Sequence, residues 1–153
     1  MSEPGAFVPA DFDPPTHLTV GAFRLEPLGP EHNERDYAAW TSSMDHIRRS
    51  PGYPDGRWPR PMTLGENRGD LERHARDFRT RAGFTYTVLD ASDDVVGCVY
   101  VYPADDGVHD AHVLSWVRES EAGHDQSLRR AVADWLTGPT WPFTRPSYEP
   151  LLS

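Results

Sequence analysis

The side chains best able to bind a metal or move a proton gather at His109, Asp110 and His112, in a chain of 153 residues with seven histidines and one cysteine. A metal needs three or four donors converging on one point, and residues three apart on an extended strand point to opposite faces. His109 and His112 converge only if the chain bends at His109, so no metal site is expected. His124 beside Asp125 offers an anion contact or a base, yet no nucleophile stands at a diagnostic spacing from it; a surface histidine is the ordinary reading. Cys98 lies inside an apolar run, where burial raises a thiol's pKa and lowers its reactivity, and a sole cysteine forms no intramolecular disulfide. Residues 50–61 hold four prolines and two glycines around Tyr53 and Trp58. Such a stretch is a loop whose aromatics must pack, either as the wall of a binding site or as a cap on the core.

The elements that position these groups follow from periodicity. Residues 1–20 are rich in proline and show no helical period, so they read as an extended arm, with Phe7, Val8, Phe12 and Leu18 available to pin it. Residues 22–28 alternate as a first strand. Pro30 with acids behind it opens a helix over 31–41 that carries Tyr37, Ala38 and Trp40 on its later face, and a short helix follows over 44–49. Thr63 and Glu66 form a capping box ahead of Leu64, Leu71, Ala75 and Phe78, which predicts a helix to about Arg81 ended by Gly83. Phe84–Leu89, Val95–Tyr102 and Ala111–Val117 read as an antiparallel meander separated by Asp- and Gly-rich turns. Leu128, Ala131, Val132, Trp135 and Leu136 recur at helical spacing, and residues 141–148 make at best an edge strand because of Pro142 and Pro146.

Fifteen basic against twenty-four acidic residues give a formal charge of -9, which argues against nucleic acid or anionic lipid as partners. The basic clusters at Arg48-Arg49, along 73–81 and at Arg129-Arg130 read as solvated helix faces. No apolar run is long enough to span a membrane and no basic leader opens the chain, so the cytoplasm is the expected compartment.

The order strand, helix pair, long helix, meander, helix, strand resembles the GNAT superfamily of acyl-CoA-dependent N-acyltransferases over residues 23–148. FRLEPL at 23–28 looks like that family's first strand, and LSWVR at 114–118 with the helix over 128–136 looks like its fourth strand and following helix. The run EHNERDYAAWTSS at 31–43 is similar to an actinobacterial GNAT-like branch. The resemblance implies an α/β (α+β) fold, a mixed but mainly antiparallel twisted sheet with flanking helices, forming a single domain over 21–153. It also implies acetyl-CoA as cofactor, with pantetheine between the fourth and fifth strands. The pyrophosphate would lie on a Q/R-x-x-G-x-G/A loop, whose small residues and helix N-terminus suit an anion. The corresponding set here is Trp116, Val117, Arg118, Gly123, His124, Gln126 and Ser127. Only Gly123 matches the pattern, and Glu119, Glu121 and Asp125 put carboxylates where phosphates would sit, although acids near a helix start also stabilise the helix.

By the same resemblance, a base must take a proton from the acceptor amine. His112 is preferred because its unperturbed pKa is near neutrality, with Ser115, Glu26 and Asp110 on neighbouring strands. Tyr148 would either stand in for the family's tyrosine acid, because the chain stops after the candidate fifth strand, or pack on the core as an ordinary buried tyrosine. The sheet edge so exposed calls for the arm or a second subunit, hence a homodimer. Trp40, Met44, Tyr53 and Trp58 would line the acceptor pocket. Two functions follow: an N-acyltransferase of a small-molecule amine, or a catalytically inactive relative that binds a small ligand or a protein partner. The first requires an opening between the strands near Trp116 and Trp141, with N–H groups around Gly123 aimed into it. The second has that opening filled by side chains.

Overall fold

The computed structural model describes residues 6–53 and 57–152. Six strands form one sheet in chain order: β1 (Leu18–Val20), β2 (Phe23–Pro27), β3 (Phe84–Leu89), β4 (Val95–Tyr102), β5 (Ala111–Val117) and β6 (Pro146–Ser147). All neighbours are antiparallel except β5 and β6, which run parallel. Helices α1 (Asn33–Thr41), α2 (Met44–Arg48) and α3 (Leu64–Thr80) follow β2, and α4 (Asp125–Thr137) links β5 to β6. The two-residue periodicity of the strands divides the core in two. Val99, Val101, Val113 and Val117 pack with Leu128, Val132 and Leu136 of α4 and with Val8 and Trp141. Cys98 and Trp116 pack with Ala39, Trp40, Ile47 and Leu71 under the first three helices.

The expected fold class holds, with local differences. The reading of residues 1–20 as an arm misses β1, which pairs with β2 from Leu18 opposite Leu25 to Val20 opposite Phe23. A 3-10 turn over Pro30–His32 precedes α1, whose buried face carries Asp36, Ala39 and Trp40 and leaves Ala38 exposed. Thr63 Oγ1 accepts from the Glu66 N–H at 3.0 Å and Glu66 Oε1 accepts from the Thr63 N–H at 2.9 Å, the expected box. Helix α3 ends at Arg81, which takes the left-handed conformation (φ 62°) before Gly83 is reached. Its inner stripe runs through buried Asn67 and Leu71 and half-buried His74 and Phe78, with Leu64 41% exposed outside it. The last strand shrinks to two residues, because Trp141 and Phe143 turn into the core and prolines at 142 and 146 offer no N–H to a ladder.

Candidate functional site

Helices α1 and α3 stand off the sheet far enough to leave a cavity of about 260 Å³. Asp36, Tyr53, Trp58, His74, Tyr100 and Leu114 are among its walls. The described part of the 50–61 loop roofs it. Trp58 lies 5.3 Å from the Trp40 ring, 5.8 Å from Tyr53 and 6.1 Å from Trp116, so one loop residue joins helix, loop and sheet aromatics. Gly52 allows the loop to close down on Leu114, whose side chain fills the place a Cβ would take.

The polar floor is built from α1 and α3. Asn67 accepts the indole N–H of Trp40 at 3.0 Å and donates to Asn33 Oδ1 at 2.9 Å and Asp36 Oδ2 at 3.1 Å. Asp36 is 4% exposed, and burial pushes its carboxyl up to about 6 despite the Asn67 hydrogen bond. Toward the rim, His74 Nδ1 lies 2.9 Å from the Tyr102 hydroxyl and 3.0 Å from Thr85 Oγ1, and Tyr102 donates to Asp77 Oδ2 at 2.8 Å. Burial and the neighbouring Arg73 bring His74 down to about 4.

A second feature lies across the sheet. Strand β6 accompanies β5 only at Ala111 and His112. Asp110 sets that start by accepting from the N–H groups of Thr144 and Arg145 at 2.7 and 3.1 Å. Beyond it, a buried arginine lies between β5 and the segment after β6. Arg129, 3% exposed, donates to the Ser115 carbonyl at 3.1 Å, the Glu149 carbonyl at 3.1 Å and Asp125 Oδ2 at 2.9 Å, with its guanidinium 5.7 Å from the Tyr148 ring centre. This corrects the solvated reading of Arg129: it continues the buried stripe of α4 with Val132 and Leu136. Tyr53 lies close enough for Arg129, Tyr148 and Asp125 to act on its ionisation, though burial dominates and drives its hydroxyl far up.

The structure brings some of the expected site residues together and separates others. Ser115 and Tyr148 are both fully buried and share a 2.6 Å hydrogen bond, with burial pushing Tyr148 up to about 12. They face α4. His112 projects from the opposite face of β5, exposed, where it borders a shallow hollow shared with His74 and Leu114. Of the acceptor set, Tyr53 and Trp58 line the cavity, Trp40 lies behind them in the core, and Met44 borders a separate polar hollow. Trp116 and Val117 are core, the former donating its indole N–H to Tyr100 at 2.9 Å. Trp141 belongs to the α4 side of the core and Trp116 to the other, so the two rings do not flank one opening. Arg118 pairs with Asp94 at 3.3 Å, and His124 contacts Glu121 at 2.8 Å. Ser127 donates to the His124 carbonyl at 3.1 Å, Gln126 borders a hollow of about 170 Å³, and Gly123 faces open space. His109 sits 2.5 Å from Asp106, and among the described residues no group of three or more His, Cys, Asp or Glu is placed to hold a metal ion.

Asp36, His74 and Arg129 did not figure among the candidates. The available signal was a polar residue inside an apolar helical stripe, at 36 with 39–40, at 74 with 71 and 78, and at 129 with 132 and 136.

No protein-family model matches the chain, and no curated protein matches it by sequence. Solved structures do match its fold. The ribosomal-protein-S5-alanine acetyltransferase of Vibrio fischeri superposes with a TM-score of 0.60 at 16% identity, over 80% of this chain and 68% of that one. The microcin C7 self-immunity acetyltransferase MccE, solved with acetyl-CoA and AMP, gives 0.61 at 13% identity over 80% and 66%. A GnaT-family acetyltransferase of Bordetella pertussis gives 0.57 at 15% identity over 79% and 73%. The chain spans about two thirds of the length of the first two. The curled, mixed six-stranded sheet with flanking helices is the GNAT fold.

Proposed function

We propose that this protein acts on a small amine held in the cavity under α1 and α3, as a GNAT-type N-acyltransferase. The carrying observation is the position of Leu114. It walls the cavity, and it lies just past the last β5–β6 pair, so a ligand there rests against the strand edge on which the resemblance places the acyl donor. The carboxylates of Asp36 and Asp70 and the rings of Trp58 and Tyr100 suit a small cation with an apolar body. Arg73, also in the wall, is turned to Asp70 at 3.5 Å.

The residues on the other side depart from the acyl-CoA cradle that the resemblance implies. Arg129 takes the Ser115 carbonyl, the Glu119 N–H is engaged by Ser43 Oγ at 2.8 Å, and Glu119, Glu121 and Asp125 oppose phosphate. A second reading, a ligand-binding protein that keeps the fold without the acyl donor, rests on that departure alone. Calorimetric titration of the full chain with acetyl-CoA and free CoA at low salt separates the two. Micromolar binding, with CoA released only when an amine is added, supports the transferase. No heat at millimolar ligand leaves the binding protein.

A further inference from the structure

The contacts around His74 favour one placement of its proton. A hydroxyl has one hydrogen, and Tyr102 gives its own to Asp77 Oδ2 at 2.8 Å. Tyr102 therefore meets His74 Nδ1, 2.9 Å away, as an acceptor, and the hydrogen between them belongs to Nδ1. Were Nδ1 bare, two lone pairs would face each other at that distance. Thr85 Oγ1, at 3.0 Å, lies within reach of the same N–H. A neutral imidazole protonated at Nδ1 has its lone pair on Nε2. No protein group bonds Nε2 among the described residues, and His74 walls both the 260 Å³ cavity and an adjoining hollow of about 300 Å³.

The groups facing His74 are Asp70, Arg73 and Asp77 on α3, Tyr100 and Tyr102 on β4, His112 on β5, and Asp36 across the cavity on α1. Burial and Arg73 keep it neutral down to about pH 4, against the opposite pull of Asp70 and Asp77. The relay from Asp77 through Tyr102 thus holds the ring in one tautomer, as outer partners do for histidines at built sites.

We propose that His74 Nε2 is the cavity's fixed hydrogen-bond acceptor and, with the Asp36 carboxylate, selects a small ligand bearing a primary amine on a flat apolar body over an acid of the same shape. This rests on the ligand reading above. A donor on the ligand meets an acceptor on each side, whereas a ligand carboxylate between His74 and Asp36 meets two acceptors, and the cationic wall group, Arg73, is turned to Asp70.

The test combines imidazole nitrogen shifts with calorimetry on the full chain, using phenethylamine and 3-phenylpropionate as probes. In the wild type at about pH 7, Nδ1 is expected to be protonated and Nε2 bare, with phenethylamine shifting Nε2. His74→Phe should weaken phenethylamine by roughly tenfold to a hundredfold, the value of a hydrogen bond to a charged group, while His74→Gln recovers part of it and 3-phenylpropionate binds neither protein. Protonated Nε2 in the wild type, or undiminished binding in His74→Phe, overturns this inference alone. Failure of both probes on the wild type overturns the amine reading with it.

Discussion

The Arg129 guanidinium donates to the Ser115 carbonyl at 3.1 Å and so occupies the edge of β5 that β6 leaves bare. All three of its nitrogens are engaged, with Asp125, Glu149 and Ser115 as acceptors. A charge buried this deeply is held by its partners, and removing one member of such a pair strands the other. Arg129→Leu should therefore destabilise the fold by about 2–3 kcal/mol, below the ~3–5 kcal/mol of a fully buried pair because Asp125 remains a quarter exposed. Urea melts read this directly. The same variant vacates the space between the strands, so if the transferase reading holds, its affinity for acetyl-CoA should rise while its stability falls. A loss of both would count against a gap that Arg129 alone closes.

Tyr53 presents a different imbalance. Its hydroxyl is buried and has no hydrogen-bond partner among the described residues, although the ring packs against Trp58 at 5.8 Å. A buried hydroxyl left unpaired costs about 1–3 kcal/mol, which its removal returns. Tyr53→Phe should be neutral or stabilising by about 1 kcal/mol in the free protein. If the hydroxyl serves a ligand, that gain comes with weaker binding, and calorimetry with phenethylamine separates the two effects.

Much of the sheet was legible because alternation is a strong signal. The meander of β3, β4 and β5 and the Thr63–Glu66 box lie where the residues place them. Strand β1 was not, since Leu18, Thr19 and Val20 alternate over too short a run to register and owe their strand geometry to pairing with β2. The site was legible in part. Tyr53 and Trp58 announced themselves as aromatics in a proline-rich loop, but His74 and Arg129 read as charged helix faces, because periodicity reports which face a residue is on only when its neighbours are apolar. Both are held inward by partners distant in sequence: Tyr102 and Thr85 on strands for His74, and the Ser115 and Glu149 carbonyls for Arg129.

Asp36 and His74 should give stability two opposing pH dependences. Asp36 has its folded pKa raised from 3.8 to about 6, so the folded state holds that proton more tightly. Its contribution is fully present below 3.8 and is lost as pH rises through 6. His74 has its folded pKa lowered from 6.5 to about 4, so its contribution is present above 6.5 and is lost as pH falls through 4. Each shift of about two units corresponds to roughly 2–3 kcal/mol. Between pH 4 and 6 the two nearly cancel in the wild type. Asp36→Asn should unmask a fall in stability on acidification across that window, and His74→Gln a rise. Chemical melts of the three proteins over the range check this, and parallel curves would rule it out.

Gly83 connects the end of α3 to the His74 relay. A Cβ at this position would overlap the Tyr102 ring at Cε2, so the backbone passes the ring only because no side chain is present. The close approach keeps Tyr102 over the last turns of α3, where its hydroxyl reaches Asp77. Gly83→Ala must push the ring away, at about 1–3 kcal/mol for the overpacking. The displaced hydroxyl then loses Asp77, His74 or both, and Nδ1 no longer has a fixed acceptor. The expected result is a modest loss of stability in urea together with imidazole nitrogen shifts that report a mixture of His74 tautomers. Adding Tyr102→Ala should relieve the overlap without restoring the single tautomer. A glycine that acts only through packing would recover stability in the double variant and leave the His74 signals of the single variant unchanged from wild type.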